Sequence, residues 1–250
     1  MTATSIANIE NATTPAEPSW FAEDFARFRD MQGRSDRGLP LNWDERQPQI
    51  ADRTPGCGFD RHYVYHTAWA ARVLATTRPA KHVDVSSSLY FCAIASAFVP
   101  VDYYEYRPVN LTLDDLATGV ADLQRLPFAD KTVASISCMH VVEHIGLGRY
   151  GDPIDPDGDL KAMAELCRVL APGGSLLFVV PVGRPRIVFN AHRIYGAAHV
   201  RQGFKELTLR QFVLIPDGRH KKGLVLDASD DFVNEQNYGC GCFWFERSGS

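Results

Sequence analysis

The chain has no excess of one charge and no long apolar run, and both absences narrow the functions open to it. Lysine and arginine number 26 against 30 aspartates and glutamates, which leaves a formal net charge of -4. Such a balance gives no basic field of the kind that holds nucleic acid or an anionic membrane. The most apolar stretch, residues 89–101, is too short and too interrupted to cross a bilayer. We therefore expect neither a nucleic-acid nor a membrane partner.

Cysteine is also scarce, with six residues in a chain of 250. The six are scattered through strand-like and helix-like segments, which is typical of reduced, buried thiols rather than of a disulfide framework. The first ten residues lack a basic start followed by an apolar core, so they do not resemble a secretory leader. The expected location is the cytoplasm.

The length and the 45% hydrophobic content allow one well-buried core with additions. Residues 1–18 are polar without an apolar period and are predicted to be disordered, whereas aromatic residues recur at helical spacing over 20–31. We divide the chain into a disordered N-terminus with an irregular arm (1–58) and one α/β domain (59–250). The helix predicted at 59–78 would flank the domain or cover its site as a lid.

The domain is organised around the segment K-H-V-D-V-S-S-S-L at residues 81–89. It predicts a short buried strand, His82 to Val85, followed by a turn of three serines and then by a helix with apolar residues on one face. Strand, tight turn and helix form the first unit of a doubly wound sheet. Such sheets bind nucleotide-like ligands at the carboxyl ends of their strands, where this turn lies.

Further strands follow in β–α alternation. A second strand is predicted to end near Glu105, a third at Asp122, and a fourth to cover 131–140. A helix over 160–170 stops at Pro172, and a nearly all-apolar fifth strand follows, as expected of an inner parallel strand. Two late apolar runs, F-V-L-I-P-D and C-F-W-F-E-R, are predicted to pair as an antiparallel hairpin at the sheet edge. The expected fold is a doubly wound, Rossmann-like α/β sheet, mostly parallel with this C-terminal hairpin.

Over residues 81–182 the sequence resembles the class I S-adenosylmethionine-dependent methyltransferases. The resemblance rests on D-V-S-S-S, E-Y-R-P, A-D-L-Q-R-L-P-F-A-D-K-T-V, C-M-H-V-V-E-H-I and R-V-L-A-P-G-G-S-L-L-F-V-V-P, in that order. The flanks F-D-R-H-Y-V-Y-H-T-A-W-A-A, H-I-G-L-G-R-Y-G-D and I-V-F-N-A-H-R-I-Y are similar to a narrower branch that is catalogued as a domain of unknown function.

The resemblance implies S-adenosyl-L-methionine as cofactor. Asp84 and the serine turn would face its methionine end, Glu105 would accept both ribose hydroxyls, and Asp122 would meet the adenine edge. Carboxylates at strand ends suit a ligand that offers an ammonium, a diol and an amine. The full set of implied cofactor-binding residues is Asp84, Ser86, Ser87, Ser88, Glu105, Asp122, Leu123 and Met139, with Cys138 and His140 completing the floor.

The serine turn departs from the family pattern D-x-G-x-G-x-G, because Ser86, Ser88 and Tyr90 occupy the three glycine places. Glycine lets a backbone approach a ligand closely and take positive φ. Serine offers hydroxyls instead, so cofactor binding would be weaker or altered. The alternative function is a catalytically inactive protein of the methyltransferase fold that serves as a binding scaffold.

An enzyme of this class that methylates a hydroxyl needs a general base, and histidine titrates in the right range. His144, His192 and His140 are the candidates, since all three follow strands at the carboxyl edge of the sheet. Each of them also has an ordinary explanation as a helix cap or a partner of a carbonyl group. Arg193 and Tyr195 are candidates for holding a polar acceptor. The expected substrate is a small molecule with a hydroxyl, such as a sugar or secondary metabolite.

Other chemistries have weaker support. H-V-V-E-H fits the inverted zinc-peptidase pattern, but that pattern needs a long helix and I-G-L-G-R-Y-G would break one. The acidic loop 151–159 misses the calcium-loop spacing, and Cys240-Gly-Cys242 is predicted to be strand interior. We therefore predict no metal. No G-x-G-x-x-G follows the first strand, which argues against a nicotinamide cofactor.

Overall fold

The computed structural model describes residues 17–34, 38–218 and 223–249, which form two compact units, Met1–Asp60 and Arg61–Ser250. The first unit contains helix α1 (Ser19–Gln32), as the aromatic spacing predicted, and a short 3-10 turn. The disorder predicted for the N-terminus falls almost entirely outside the described residues. Within the described parts of the chain, none of the helices combines the length and apolar character that crossing a bilayer requires.

The second unit begins with helix α2 (Arg61–Thr77) and contains an eight-stranded sheet and a separate two-stranded one. The other helices are α3 (Leu89–Ala95), α4 (Gly158–Val169), α5 (Ala197–Gly203) and α6 (Asp230–Asn234). The strands are β1 (His82–Val85), β2 (Val101–Glu105), β3 (Leu116–Val120), β4 (Val133–Met139), β5 (Leu170–Val182), β6 (Arg186–Val188), β7 (His192–Ile194), β8 (Thr208–Ile215), β9 (Val225–Leu226) and β10 (Gly239–Glu246).

The main sheet has the order β3-β2-β1-β4-β5-β10-β8-β9. Strands β3, β2, β1, β4 and β5 are parallel, while β10 is antiparallel to both β5 and β8. The predicted fold class is therefore confirmed, as is the antiparallel pairing of the two late apolar runs. That pair does not form the outer edge, however. The short strand β9 lies outside β8, and β10 pairs along its whole length with β5.

The sheet separates two hydrophobic cores, and alternate residues of each strand serve one core or the other. Leu176 and Phe178 of β5 pack with α4 and α5, whereas Leu177 and Val179 pack with α2 and α3. This period of two explains why an inner strand covered by helices on both faces is almost entirely apolar. None of the six cysteines forms a disulfide; five are buried, and Cys57 is exposed, so the burial predicted for it was wrong.

A buried hydrogen-bond chain joins β1 to β4 inside the sheet. His82 is fully buried, with Nδ1 2.8 Å from Ser135 Oγ and Nε2 2.8 Å from Ser137 Oγ. The Ser137 hydroxyl donates onward to Asp84. Every group is satisfied when Ser135 donates to Nδ1 and His82 donates from Nε2, which requires a neutral imidazole. Burial lowers the pKa of His82 to about 3.

The neutral, buried His82 leads to a prediction about how stability depends on pH. We expect His82→Leu to be most destabilising at neutral pH, where it removes the acceptor of the Ser135 hydroxyl and the donor to the Ser137 hydroxyl. In the unfolded wild type His82 is protonated below pH 6.5, whereas in the folded protein it is protonated only below about pH 3. The stability difference between wild type and variant should therefore shrink by about 1.4 kcal/mol per pH unit over that interval.

Urea unfolding of both proteins between pH 7 and pH 4 measures this difference. The raised pKa of Asp84, about 6, acts in the opposite direction between its two pKa values but is present in both proteins and largely cancels. The exposed His199 supplies the control, since His199→Leu should show no comparable trend. A wild-type advantage over His82→Leu that stays constant with pH would contradict the neutral, buried assignment.

Candidate functional site

The serine turn lies between the carboxyl ends of β2 and β4. Ser86 N–H donates to Tyr104 O at 2.7 Å, and Met139 N–H donates to Ser87 Oγ at 3.0 Å. The turn is thus fixed to the strand on each side. It brings the residues predicted to bind the cofactor from β1, β2 and β4 to one edge of the sheet.

Ser86 takes the left-handed backbone conformation, with φ of 56°. For a residue with a Cβ this conformation costs on the order of 1–2 kcal/mol, which is why glycine usually fills such positions. Ser88 has φ of −66°, and Tyr90, at the third glycine place, lies in helix α3, where φ is negative. Only the first of the three places therefore has the backbone that favours glycine, and serine occupies it.

Asp84 directs its carboxylate inward. It is fully buried, accepts from Ser87 N–H at 2.9 Å, and accepts from the Ser137 hydroxyl. Burial raises its pKa to about 6, against the opposing effect of these hydrogen bonds. Asp84 holds the serine turn onto the sheet, and direct contact between its carboxylate and a cofactor stays a prediction.

Glu105 and Asp122 lie nearer the surface. Glu105 Oε1 accepts from Tyr106 N–H at 3.0 Å, and Oε2 accepts from Tyr103 Oη–H at 3.2 Å. Oε1 also accepts from Arg107 N–H at 3.4 Å. A carboxylate has about four acceptor positions, two on each oxygen, so the remaining capacity for a ligand lies on Oε2. Asp122 is exposed and accepts from Gln124 N–H at 2.9 Å. The side chains of Leu123 and Met139, by contrast, are buried in the two cores.

A cluster of aromatic and histidine rings lies just past the end of β4. We call it the histidine cluster; His140 is its centre. The ring centroids of His62, His66 and Tyr63 lie 5.3, 5.1 and 5.6 Å from that of His140, and Tyr238 stacks on His62 at 5.0 Å. The sequence predicted α2 as a flanking helix or a lid. It did not predict that His62 belongs to this cluster, although His62 and His66 are four residues apart and share one helix face.

Several polar atoms of the histidine cluster and its neighbour Glu143 are buried without a hydrogen-bond partner in the described parts of the chain. They are both ring nitrogens of His66, Nε2 of His140 and Oε2 of Glu143. Burial, followed by the charges of His140 and His62, lowers the pKa of His66 well below its usual value, so this imidazole is neutral. Unsatisfied buried polar atoms are rare in folded proteins, and an ordered water or a bound ion is one explanation for them.

Glu143 is hydrogen-bonded to the ring of His140. His140 has φ of 59°, and its Nδ1 lies 2.9 Å from Glu143 Oε1. Burial of Glu143 would by itself raise the pKa of that carboxyl. The hydrogen bond from His140 and the charges of His144 and His140 outweigh burial, so the pKa lies below its ordinary value. Glu143 is thus an ionised acceptor that orients the His140 ring.

The other two candidate bases differ in how much of their ring is already used. His144 Nδ1 lies 2.6 Å from Ala191 O, and its Nε2 lies 3.7 Å from Glu143 Oε1. His192 is half-buried and contacts the Tyr238 ring at 5.0 Å, and its imidazole makes no hydrogen bond to any other described residue. Burial lowers its pKa below 6.5. His144 therefore matches the carbonyl-binding role, whereas His192 has the nitrogen available for proton transfer.

Arg193 and Tyr195 are engaged inside the protein. Arg193 is 5% exposed and donates to Ile145 O at 2.6 Å and to Pro156 O at 3.1 Å. Its Nε lies 3.5 Å from Asp159, which also accepts from Tyr195 Oη–H at 2.8 Å. These contacts fix the loop that follows β4, and they leave neither side chain at an open acceptor site.

The zinc-peptidase and calcium-loop patterns lack the required geometry. The segment Val142–His144 is a single 3-10 turn and not a long helix. In the acidic loop, Asp152 accepts from Gly146 N–H at 2.8 Å, and Asp155 pairs with Lys161 at 2.6 Å. Cys240 and Cys242 are buried in β10, as predicted.

Comparisons with known proteins agree with this architecture. Residues 111–208 match the model of DUF268, described as a Caenorhabditis protein of unknown function. Among curated proteins, no sequence matches the chain. The structure is similar to the 1,6-didemethyltoxoflavin-N1-methyltransferase of Burkholderia thailandensis, solved with 1,6-didemethyltoxoflavin and S-adenosylhomocysteine. Its TM-score is 0.54 at 11% identity, covering 95% of this chain and 93% of that one.

A second similar structure is the N-methyltransferase NodS of Bradyrhizobium japonicum WM9 in complex with S-adenosylhomocysteine. Its TM-score is 0.52 at 14% identity, covering 80% of this chain and 91% of that one. At these identities the likeness concerns the fold. The chain thus has the fold of the class I S-adenosylmethionine-dependent methyltransferases and, over residues 111–208, matches the DUF268 family.

Proposed function

We propose that the protein is an S-adenosylmethionine-dependent methyltransferase acting on a hydroxyl of a small molecule. The observation that carries the proposal is the row of polar groups along one sheet edge. A left-handed turn at Ser86, fixed between β2 and β4, lies beside the half-buried carboxylate of Glu105. Two enzymes with this fold were solved with the demethylated cofactor product bound.

The residues at this edge fit the polar groups of the cofactor. Glu105 would accept from the ribose hydroxyls, Asp122 would meet the adenine edge, and the hydroxyls of Ser86 and Ser88 would bind the methionine carboxylate. When bound, the cofactor supplies an activated methyl group on a sulfonium. The role of the chain is then to orient the acceptor, exclude water and remove a proton.

His192 is the base we assign to that proton. It follows β5 at the same edge, is half-buried, and has a ring nitrogen without a hydrogen bond in the described chain. Its lowered pKa keeps it neutral near pH 7, as a base must be. A hydroxyl acceptor follows from this assignment, because a more nucleophilic nitrogen would need no such base.

Isothermal calorimetry with S-adenosylmethionine tests the cofactor assignment. We expect binding by the wild type, and we expect Glu105→Ala to weaken it by tenfold or more, about 1.4 kcal/mol. Asp102→Ala is the matched control, since Asp102 lies on the same strand but pairs with Lys81 at 3.0 Å, away from the carboxyl end. No heat at millimolar cofactor would favour the scaffold alternative, and unchanged affinity in Glu105→Ala would refute the role of Glu105.

A further inference from the structure

We propose that His62, His140 and Cys240 form a binding site for a divalent transition metal, with Zn²⁺ as the preferred ion. One ligand atom from each residue lies within 4.8 Å of the other two. At usual zinc bond lengths, neighbouring ligands of a tetrahedral site stand roughly 3.5 Å apart. Small side-chain movements would therefore bring the three atoms onto one ion. This proposal replaces the expectation from sequence that the chain holds no metal.

His140 provides the strongest argument, independent of the spacing. Its side chain is 4% exposed, and its Nε2 is buried without a partner in the described part of the protein. Its other nitrogen, Nδ1, lies 2.9 Å from Oε1 of Glu143. A hydrogen bond from Nδ1–H to this carboxylate leaves Nε2 as the nitrogen whose lone pair can bind a metal. Metal-binding histidines are held by carboxylates in this way, which fixes the tautomer and strengthens the ligand.

The ligand set favours zinc over the hard cations. Two imidazoles and a thiolate are ligands of zinc and related transition metals, whereas magnesium and calcium prefer oxygen. Binding converts the Cys240 thiol to a thiolate bonded to the metal, and its proton passes to the buffer. Three protein ligands leave a fourth position for water or substrate. His66, whose two nitrogens are buried and unpartnered in the described part of the chain, lies against the ring of His140.

The three residues come from separate segments that meet only in the fold. His62 is in the first turn of α2, His140 follows β4, and Cys240 is at the start of β10, opposite Pro181 near the carboxyl end of β5. The Tyr238 ring contacts both His62 and His192 at 5.0 Å, so the metal site adjoins the proposed base. A metal there would help bind the acceptor hydroxyl. This role of the metal rests on the proposed methyl transfer, whereas the metal site itself does not.

Titration of the full chain with Zn²⁺ and with Co²⁺, after removal of bound metal by a chelator, tests the site. We expect one equivalent of Zn²⁺ to bind. We expect Co²⁺ to give the intense visible bands of a tetrahedral site and a thiolate-to-cobalt charge-transfer band in the near ultraviolet. Failure of the wild type to bind either ion would overturn the proposal.

Variants assign the ligands. Cys240→Ser should remove the charge-transfer band and weaken Zn²⁺ binding at least 100-fold, and Glu143→Gln should weaken it about 10–100-fold. Cys242→Ser is the matched control, since it makes the same change two residues along the same buried strand and should keep the band. A band that persists in Cys240→Ser would overturn the assignment. His62→Ala, at a half-buried position, gives a second ligand test if Cys240→Ser does not fold.

Calorimetry of S-adenosylmethionine with the metal-free wild type separates the two proposals. Zinc binding without cofactor binding would leave the metal site standing and refute the methyltransferase assignment. Cofactor binding by a protein that takes up no metal would support the methyltransferase assignment and refute the metal site.

Discussion

Replacing His192 by glutamine is expected to lower kcat for methyl transfer by about 10²–10⁴-fold, the usual contribution of a general base. Affinity for S-adenosylmethionine should stay unchanged, because the serine turn and Glu105 belong to other strands. Glutamine keeps a polar side chain of similar reach but cannot accept a proton from an acceptor hydroxyl near neutral pH.

The pH profile provides a second test of this base. Only the unprotonated imidazole accepts a proton, and burial lowers the pKa of His192 despite the opposing charge of Glu143. The wild-type rate should therefore rise with pH at a value below 6.5 and level off by neutrality. The measurement is S-adenosylhomocysteine formed with a hydroxyl acceptor selected from a panel of sugars and phenols. His199→Gln, at an exposed position, should leave rate and profile unchanged. Full activity in His192→Gln would refute the role.

Arg193→Met is expected to lower the free energy of unfolding by about 3–5 kcal/mol, the cost of removing one partner from a buried ion pair. The guanidinium is buried and binds two loop carbonyls as well as Asp159. Methionine fills much of the volume but leaves the Tyr195 hydroxyl as the remaining partner of the Asp159 carboxylate. It also leaves the carbonyls of Ile145 and Pro156 without the donor that Arg193 provided.

Urea unfolding with a check that the m-value is unchanged measures this loss. Arg210→Met is the matched control, because Arg210 is half-exposed and pairs with Glu246 across 3.3 Å. An exposed pair of this kind contributes at most about 1 kcal/mol. If Arg193→Met were as mild as Arg210→Met, the loop after β4 would not depend on the buried arginine.

The fold was predictable because its signals are local. The apolar run of β5 and the serine turn after β1 each identify their own element, and alternation of strands with helices indicates a parallel sheet. The position of β10 was harder to predict. A strand at the end of the chain pairs with β5 only once the whole sheet exists, so no window of the sequence contains that contact.

The candidate site was predictable only in part, because some of its contacts form only between segments that are distant in the sequence. Strand-end carboxylates such as Glu105 follow from β–α order. The histidine cluster does not, since it needs the register of α2 against the sheet and a left-handed residue at His140. Nor does sequence reveal that Asp84 turns inward, because its partner Ser137 lies on another strand.

The insertion of β10 between β5 and β8 also has a consequence for biosynthesis. Chain growth on the ribosome proceeds from the N-terminus, so five parallel strands emerge while one long flank of β5 has no neighbour. The unpaired N–H and C=O groups of this apolar strand can pair with another chain until residues 239–246 leave the exit tunnel and pair with β5. Pairing of β10 with β5 therefore protects the nascent domain from association with other copies of the same chain.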